Sequence, residues 1–180
     1  VTGVQTCALP ILIGLMTAIT CILAPLSIPL PFSPVPISLT NLVIFISVFI
    51  LGMKDATISF LIYLLLGAVG LPVFASFHAG LSVLAGPTGG YLIGFIFLAL
   101  IQGFAMKYFD RKLIPTIIGM LIGMAVCYIF GTVWLAKLMS LSFKEGLFMG
   151  VIPYLPGDAV KIIIAVIVGP KLYAATKKVR

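Results

Sequence analysis

Long apolar segments, separated by short turns that hold proline, glycine or charge, most constrain what this chain can fold into. A helix that crosses a bilayer needs about 20 mostly apolar residues. The chain is 62% hydrophobic and only 8% charged, whereas a soluble domain carries roughly 25% charged residues. So few charges cannot cover a water-facing surface. We therefore predict an all-α, polytopic membrane helix bundle with no soluble second domain.

The apolar segments and the turns between them predict six transmembrane helices. The predicted spans run from about 11 to 26, 37 to 51, 56 to 71, 91 to 106, 113 to 135 and 159 to 168, the last extended by flanking residues. We expect 1–10 to be an atypical segment, disordered or not native, 11–176 to form the bundle, and 177–180 to be a basic cytoplasmic tail. Proline cannot occupy a helix interior, so Ser27 to Pro36 is predicted to be a structured connection. Lys137 to Gly150 is amphipathic and is predicted to lie at the interface.

The basic residues test this topology, because lysine and arginine accumulate on cytoplasmic loops. With six spans, eight of the eleven Lys and Arg fall on the side of the C-terminus. These are Lys54, Lys107, Arg111, Lys112, Lys171, Lys177, Lys178 and Arg180. We therefore predict a multi-pass membrane protein with both termini in the cytoplasm. The net charge of +7 then reflects topology, and no nucleic-acid partner is expected.

Asp158 and Lys161 form the strongest candidate site in the sequence. They lie three residues apart at the start of the last apolar segment, so they share one helix face. Ionisable groups at membrane depth are costly and tend to mark a pathway or a ligand site. The alternative is a structural ion pair, or an aspartate that only favours the positive end of the helix dipole.

Other motifs allow a functional and a structural interpretation. His78, the only histidine, lies in the glycine-rich stretch Val73 to Gly90 and either contacts a ligand or is structural. One histidine without a cysteine or carboxylate cluster does not predict a metal site. Gly14 and Ala18 form a small-xxx-small face that serves partner docking or intramolecular packing. The chain has no phosphate-binding GxxxxGK[ST] motif, and one carboxylate at membrane depth does not predict an enzyme.

Several segments together carry a resemblance to one family. They are Ile28-Pro29-Leu30-Pro31, Ser33-Pro34-Val35-Pro36-Ile37, Gly70-Leu71-Pro72-Val73-Phe74, Leu84-Ala85-Gly86-Pro87-Thr88-Gly89-Gly90-Tyr91-Leu92 and Pro156-Gly157-Asp158-Ala159-Val160-Lys161. In this order and spacing they resemble the BioY family, the biotin-binding S components of energy-coupling factor (ECF) transporters. The resemblance runs from about Ile11 to the C-terminus and does not include the first ten residues.

The resemblance implies a six-helix bundle in a prokaryotic plasma membrane that binds biotin from outside and is energised by a membrane T subunit and two ATPases. It implies that Gly14 and Ala18 dock to the T subunit and that Asp158 and Lys161 match the signature of the last helix. The family's GPTGGY loop matches the segment that contains Gly89 and Gly90. The chain departs from the family at Thr40, where members often carry Gln, and at Ser76-Phe77-His78-Ala79-Gly80, where they are often richer in glycine.

The chemistry of biotin suits these residues and requires no cofactor. Asp158 accepts from the ureido N–H groups, and Lys161 meets either the ureido oxygen or the tail carboxylate. Tyr91 and Phe77 are expected to cover the ring, with Thr40, His78, Gly89 and Gly90 as further candidates. The alternatives are an S component for another vitamin, or a self-sufficient secondary transporter, which usually shows internal repeats and intramembrane acids in both halves.

Overall fold

The structure is a computed structural model that describes the backbone of residues 2–177 and the side chains of residues 8–177. It is helical apart from one small hairpin. The elements in chain order are α1 (Thr2–Leu23), β1 (Ser27–Leu30), β2 (Ser33–Ser38), α2 (Thr40–Leu51), α3 (Met53–Ala68), α4 (Leu81–Ala85), α5 (Gly89–Tyr108), α6 (Leu113–Met139), α7 (Phe143–Gly150) and α8 (Leu155–Lys177). Short 3-10 turns cover Ala75–Phe77 and Ile152–Tyr154.

Several of these helices suit a bilayer. Within the described part of the chain, three helical segments are long and apolar enough to cross a membrane: Gly89–Tyr108, Leu113–Met139 and Phe143–Lys177. Ala8–Leu23 and Thr40–Leu51 are apolar but shorter. The predicted helical membrane bundle is therefore confirmed. The count of six spans and the cytoplasmic side of the termini stay predictions.

The first connection is a β-hairpin, which the sequence did not reveal. Strands β1 and β2 pair antiparallel, with Ser27 opposite Ser38 and Ile28 opposite Ile37. The prolines that exclude a helix here are tolerated because a two-stranded sheet consists only of edge strands. The hairpin carries the chain over one end of the bundle and delivers Ser38 to the start of α2.

The ends of the chain differ from the predicted boundaries. Helix α1 begins at Thr2, so 2–10 continue the first helix and do not form a separate segment. That 1–10 are not native stays a prediction. The predicted tail at 177–180 lies, beyond Lys177, outside the described residues. The amphipathic stretch is divided between the end of α6 and α7, and α7 begins at a capping box in which Ser142 and Glu145 bond each other's backbone N–H groups.

Small residues bring the helices into close contact. A Cβ on Gly123 of α6 would lie 3.1 Å from Cα of Leu98 on α5, and a Cβ on Gly169 of α8 would lie 2.3 Å from the ring of Phe49 on α2. Such close approach is typical of membrane helix interfaces, where packing and not hydrophobic exclusion drives association. The contact of Gly169 with Phe49 holds α8, which carries Asp158 and Lys161, against α2.

Candidate functional site

A cavity of about 460 Å³ opens between the hairpin, the 74–88 connection and the adjoining helix ends. Its apolar wall includes Phe74, Leu92, Phe95 and Met124. Ligand sites commonly measure roughly 300–1,000 Å³ and combine apolar walls with a few placed polar groups. The volume and lining therefore suit one compact solute.

Asp158 and Lys161 lie side by side in this cavity. Their side chains are about nine-tenths buried, and Lys161 Nζ lies 2.8 Å from Asp158 Oδ1. The local sequence explains the position, because Pro156 suits the first turn of a helix and Asp158 follows within the same turn of α8. A carboxylate there also interacts favourably with the helix dipole.

The ion pair belongs to a larger polar network that sequence reasoning missed. Asn41 donates from Nδ2 to Asp158 Oδ1 at 2.7 Å, and the Tyr128 hydroxyl donates to Asp158 Oδ2. Lys161 Nζ donates to the Ser38 carbonyl at 2.7 Å and to Asn41 Oδ1 at 3.0 Å. The one available signal was polarity, since Asn41 and Tyr128 are polar side chains within apolar runs.

The two charged groups differ in the hydrogen-bonding capacity that the network leaves free for a ligand. An ammonium has three N–H donors, and those of Lys161 all have acceptors: Ser38, Asn41 and Asp158. Asp158 Oδ1 accepts two bonds, whereas Oδ2 accepts one from Tyr128. A carboxylate oxygen accepts about two bonds. Asp158 Oδ2 can therefore accept from an N–H donor of a solute without breaking the network.

The other predicted site residues divide into two groups. Thr40, His78 and Tyr91 line the cavity with Asp158 and Lys161. His78 lies near the mouth, where its Nδ1 is 2.9 Å from the Ala75 carbonyl. Tyr91 packs closely against Gly150, since a Cβ on Gly150 would lie 1.9 Å from the Tyr91 hydroxyl oxygen. That hydroxyl thus lies against α7, and only the ring is available to a ligand.

Phe77, Gly89 and Gly90 are not among the residues that line the cavity. The Phe77 side chain is 63% exposed. A Cβ on Gly89 would lie 1.8 Å from the Leu84 carbonyl oxygen, and one on Gly90 would lie 2.3 Å from Trp134 Cβ. We therefore assign these two glycines to close packing at the start of α5.

Gly14 and Ala18 lie on an exposed face of α1. A Cβ on Gly14 would meet no atom within 4 Å, so intramolecular packing does not explain this glycine. The buried side of α1 next to this face is fixed to α3, where the Thr17 and Ser59 hydroxyl oxygens lie 2.9 Å apart. The exposed face is therefore held in a defined orientation.

Within residues 8–177, no group of three or more His, Cys, Asp or Glu side chains could hold a metal ion. The polar side chains that line the cavity carry hydroxyl, amide, imidazole, carboxylate and ammonium groups. The fold and the cavity define a class: a small helical membrane protein built around a site for one compact, partly polar solute.

Comparison with known proteins identifies the family within that class. The sequence model of the BioY family matches residues 3–178, so the match begins earlier than the predicted Ile11. The chain therefore belongs to the BioY family. It is 35% identical to the biotin transporter BioY of Thermotoga maritima, over 88% of this chain and 92% of that protein. It is 34% identical to the probable biotin transporter BioY of Pyrococcus horikoshii, over 92% of this chain and 96% of that protein.

A solved structure supports the same conclusion for the fold. The S-component for biotin from an ECF-type ABC transporter superposes with a TM-score of 0.88, at 31% identity, over 96% of this chain and 94% of that chain. The shared architecture includes nearly all elements described above.

Proposed function

We propose that this chain binds biotin and acts as the S component of an ECF-type transporter. The observation that carries the proposal is the free hydrogen-bonding capacity of Asp158 Oδ2 in an apolar cavity of about 460 Å³. The family membership and the biotin-specific structural relative support it.

The two fused rings of biotin require different surroundings, and the cavity offers both. A ureido N–H donates to Asp158 Oδ2, in a charge-assisted bond of about 1.5–3 kcal/mol. The fused apolar ring lies against Phe74, Phe95 and the Tyr91 ring. Lys161 holds Asp158 in position through their 2.8 Å contact, and it meets a ligand oxygen only by exchanging one of its three acceptors.

We infer that the cavity opens to the outside of the cell. Lys54, Lys107 and Arg111 cluster at the opposite end of the bundle, where α2 ends, α3 begins and α5 ends. Basic residues at that end favour a cytoplasmic position. A solute that enters between the hairpin and the 74–88 connection then comes from the extracytoplasmic side.

We also infer that the exposed face of α1 docks to the T subunit, which brings the two ATPases into the complex. Small residues let two membrane helices approach closely, and Gly14 and Ala18 are exposed on this face. No catalytic role is proposed for the chain itself.

Equilibrium binding of biotin to the purified chain in detergent tests the proposal. We expect Asp158→Asn to weaken binding at least tenfold, since a charged acceptor becomes a neutral amide. Asp55→Asn is the matched control, because Asp55 also lies in the first turn of a helix but at the other end of the bundle. A panel of labelled vitamins is measured alongside. Preference for another vitamin, or normal binding by Asp158→Asn, would contradict the proposal.

A further inference from the structure

The Tyr63 hydroxyl is a buried polar group that the network around Asp158 does not use. Tyr63 belongs to α3 and to the cavity lining, and it is 0% exposed. Its hydroxyl has no hydrogen-bond partner among the described residues. Its ring is fixed by Phe60, stacked at 5.5 Å, and by Phe74, edge-on at 5.6 Å. Buried polar groups are nearly always paired, so this exception needs an explanation.

Two further hydroxyls connect Tyr63 with the open part of the cavity. Thr40 and Tyr63 line the same cavity, and the Thr40 hydroxyl lies near the Tyr63 hydroxyl without forming a hydrogen bond of normal geometry. Thr40 Oγ1 lies 2.9 Å from Ser38 Oγ. Ser38 is half-buried and lines the cavity. Tyr63, Thr40 and Ser38 thus form a row from the buried interior to the cavity surface. In this row the hydrogen bond between the Thr40 and Tyr63 hydroxyls is not formed.

The electrostatic surroundings of this row favour an acceptor atom. Ser38 and Thr40 lie at the N-terminus of α2, where N–H groups without intrahelical partners produce a positive potential. Lys161 Nζ donates to the Ser38 carbonyl at 2.7 Å. A ligand oxygen is therefore favoured at the Ser38 hydroxyl, whereas Asp158 favours ligand N–H groups.

We propose that Ser38, Thr40 and Tyr63 form a hydroxyl relay that binds an acceptor oxygen of the ligand. The Ser38 hydroxyl donates to that oxygen, Thr40 donates to Ser38, and Tyr63 donates to Thr40. Each donor strengthens the next, because hydrogen bonds in a chain polarise one another. Ligand binding thereby gives the Tyr63 hydroxyl its missing partner. Ser38 is the contact residue of this subsite, and Thr40 and Tyr63 are positioning residues.

The inference rests on the proposed function, so biotin is the probe. We expect Ser38→Ala and Tyr63→Phe each to weaken biotin binding about fivefold, the size of one net hydrogen bond. Tyr63→Phe should leave the melting temperature of the ligand-free protein unchanged or raised, because the hydroxyl has no partner to lose. Tyr108→Phe is the matched control, since Tyr108 is 73% exposed at the far end of α5. A lower melting temperature for Tyr63→Phe, or unchanged affinity, overturns the proposal.

A double mutant separates the relay from independent contacts. In a relay, Ser38→Ala already breaks the connection to the ligand. The Ser38→Ala/Tyr63→Phe variant should therefore also bind about fivefold more weakly than wild type, because effects within one network are not additive. A loss of about 25-fold, the product of two independent contacts, overturns the relay.

Two ligand analogues identify the oxygen that Ser38 meets. The 2-thio analogue of biotin replaces the ureido oxygen with sulfur, a weak acceptor, and an analogue whose tail ends in a methyl group has no carboxylate oxygen. We expect the Ser38→Ala penalty to disappear with one analogue and to persist with the other. A penalty that persists with both overturns the subsite. If the wild-type chain binds no biotin, the proposed function itself fails, which is a separate outcome.

Discussion

Removal of the Lys161 charge should destabilise the fold, and removal of both charges should restore it. Two unit charges 2.8 Å apart attract by about 6 kcal/mol at an effective dielectric constant of about 20, before desolvation is subtracted. Breaking a buried pair by removing one partner commonly costs about 3–5 kcal/mol, because the other charge stays buried. In Lys161→Met, Asp158 keeps two donors, Asn41 and Tyr128. We therefore expect a loss near the lower end, about 3 kcal/mol of unfolding free energy.

The double variant Asp158→Asn/Lys161→Met tests whether this loss comes from an uncompensated charge. A buried ion pair and a neutral replacement of similar volume often have similar stability. We expect the double variant to unfold within about 1 kcal/mol of wild type. It should nevertheless fail to bind biotin, since the charged acceptor is gone. The Asp158–Lys161 ion pair would then contribute more to biotin binding than to the stability of the fold.

Equilibrium unfolding in mixed micelles with increasing dodecyl sulfate measures these free energies, and biotin binding is measured on the same samples. Lys54→Met is the matched control, because Lys54 is exposed at the other end of the bundle. The reasoning is refuted if Lys161→Met unfolds like wild type. It is also refuted if the double variant loses the sum of the two single penalties, which would mean that the charges do not interact.

Two further predictions concern packing and docking. Gly150→Ala should lower the melting temperature and weaken biotin binding, because the new Cβ would lie 1.9 Å from the Tyr91 hydroxyl oxygen. Adding Tyr91→Phe removes that oxygen and should partly restore both properties. A double variant that restores neither would contradict the assigned contact. Gly14→Leu should leave biotin binding by the isolated chain unchanged but reduce co-purification with the T subunit. Ala125→Leu, on an exposed face of α6, is the control, and equal effects of the two leucines would argue against docking through α1.

Local features of the sequence predicted the class of fold and one pair in the site. Asp158 and Lys161 are three residues apart, so helical geometry alone places them on one face. The excess of apolar residues excluded a soluble fold in the same direct way. Proline positions predicted that 27–36 is not helical, but they did not show that Ser38 would reach the last helix.

The rest of the site depended on contacts between distant parts of the chain. Asn41 meets Asp158 across 117 residues, Tyr128 meets it across 30, and Ser38 meets Lys161 across 123. Sequence patterns with periods of a few residues carry no information on such long-range contacts.

By itself, the sequence determined that the chain is a helical membrane protein with a charged pair at the start of its last helix. These properties follow from composition and from the repeat of a single helix, both of which are local. Only the tertiary structure decided which groups surround that pair, that the Lys161 ammonium is fully engaged, and that the Tyr63 hydroxyl lacks a partner. Close packing, as between Gly169 and Phe49, fixes how the helices that carry these groups lie against one another. Such packing is a property of the whole bundle.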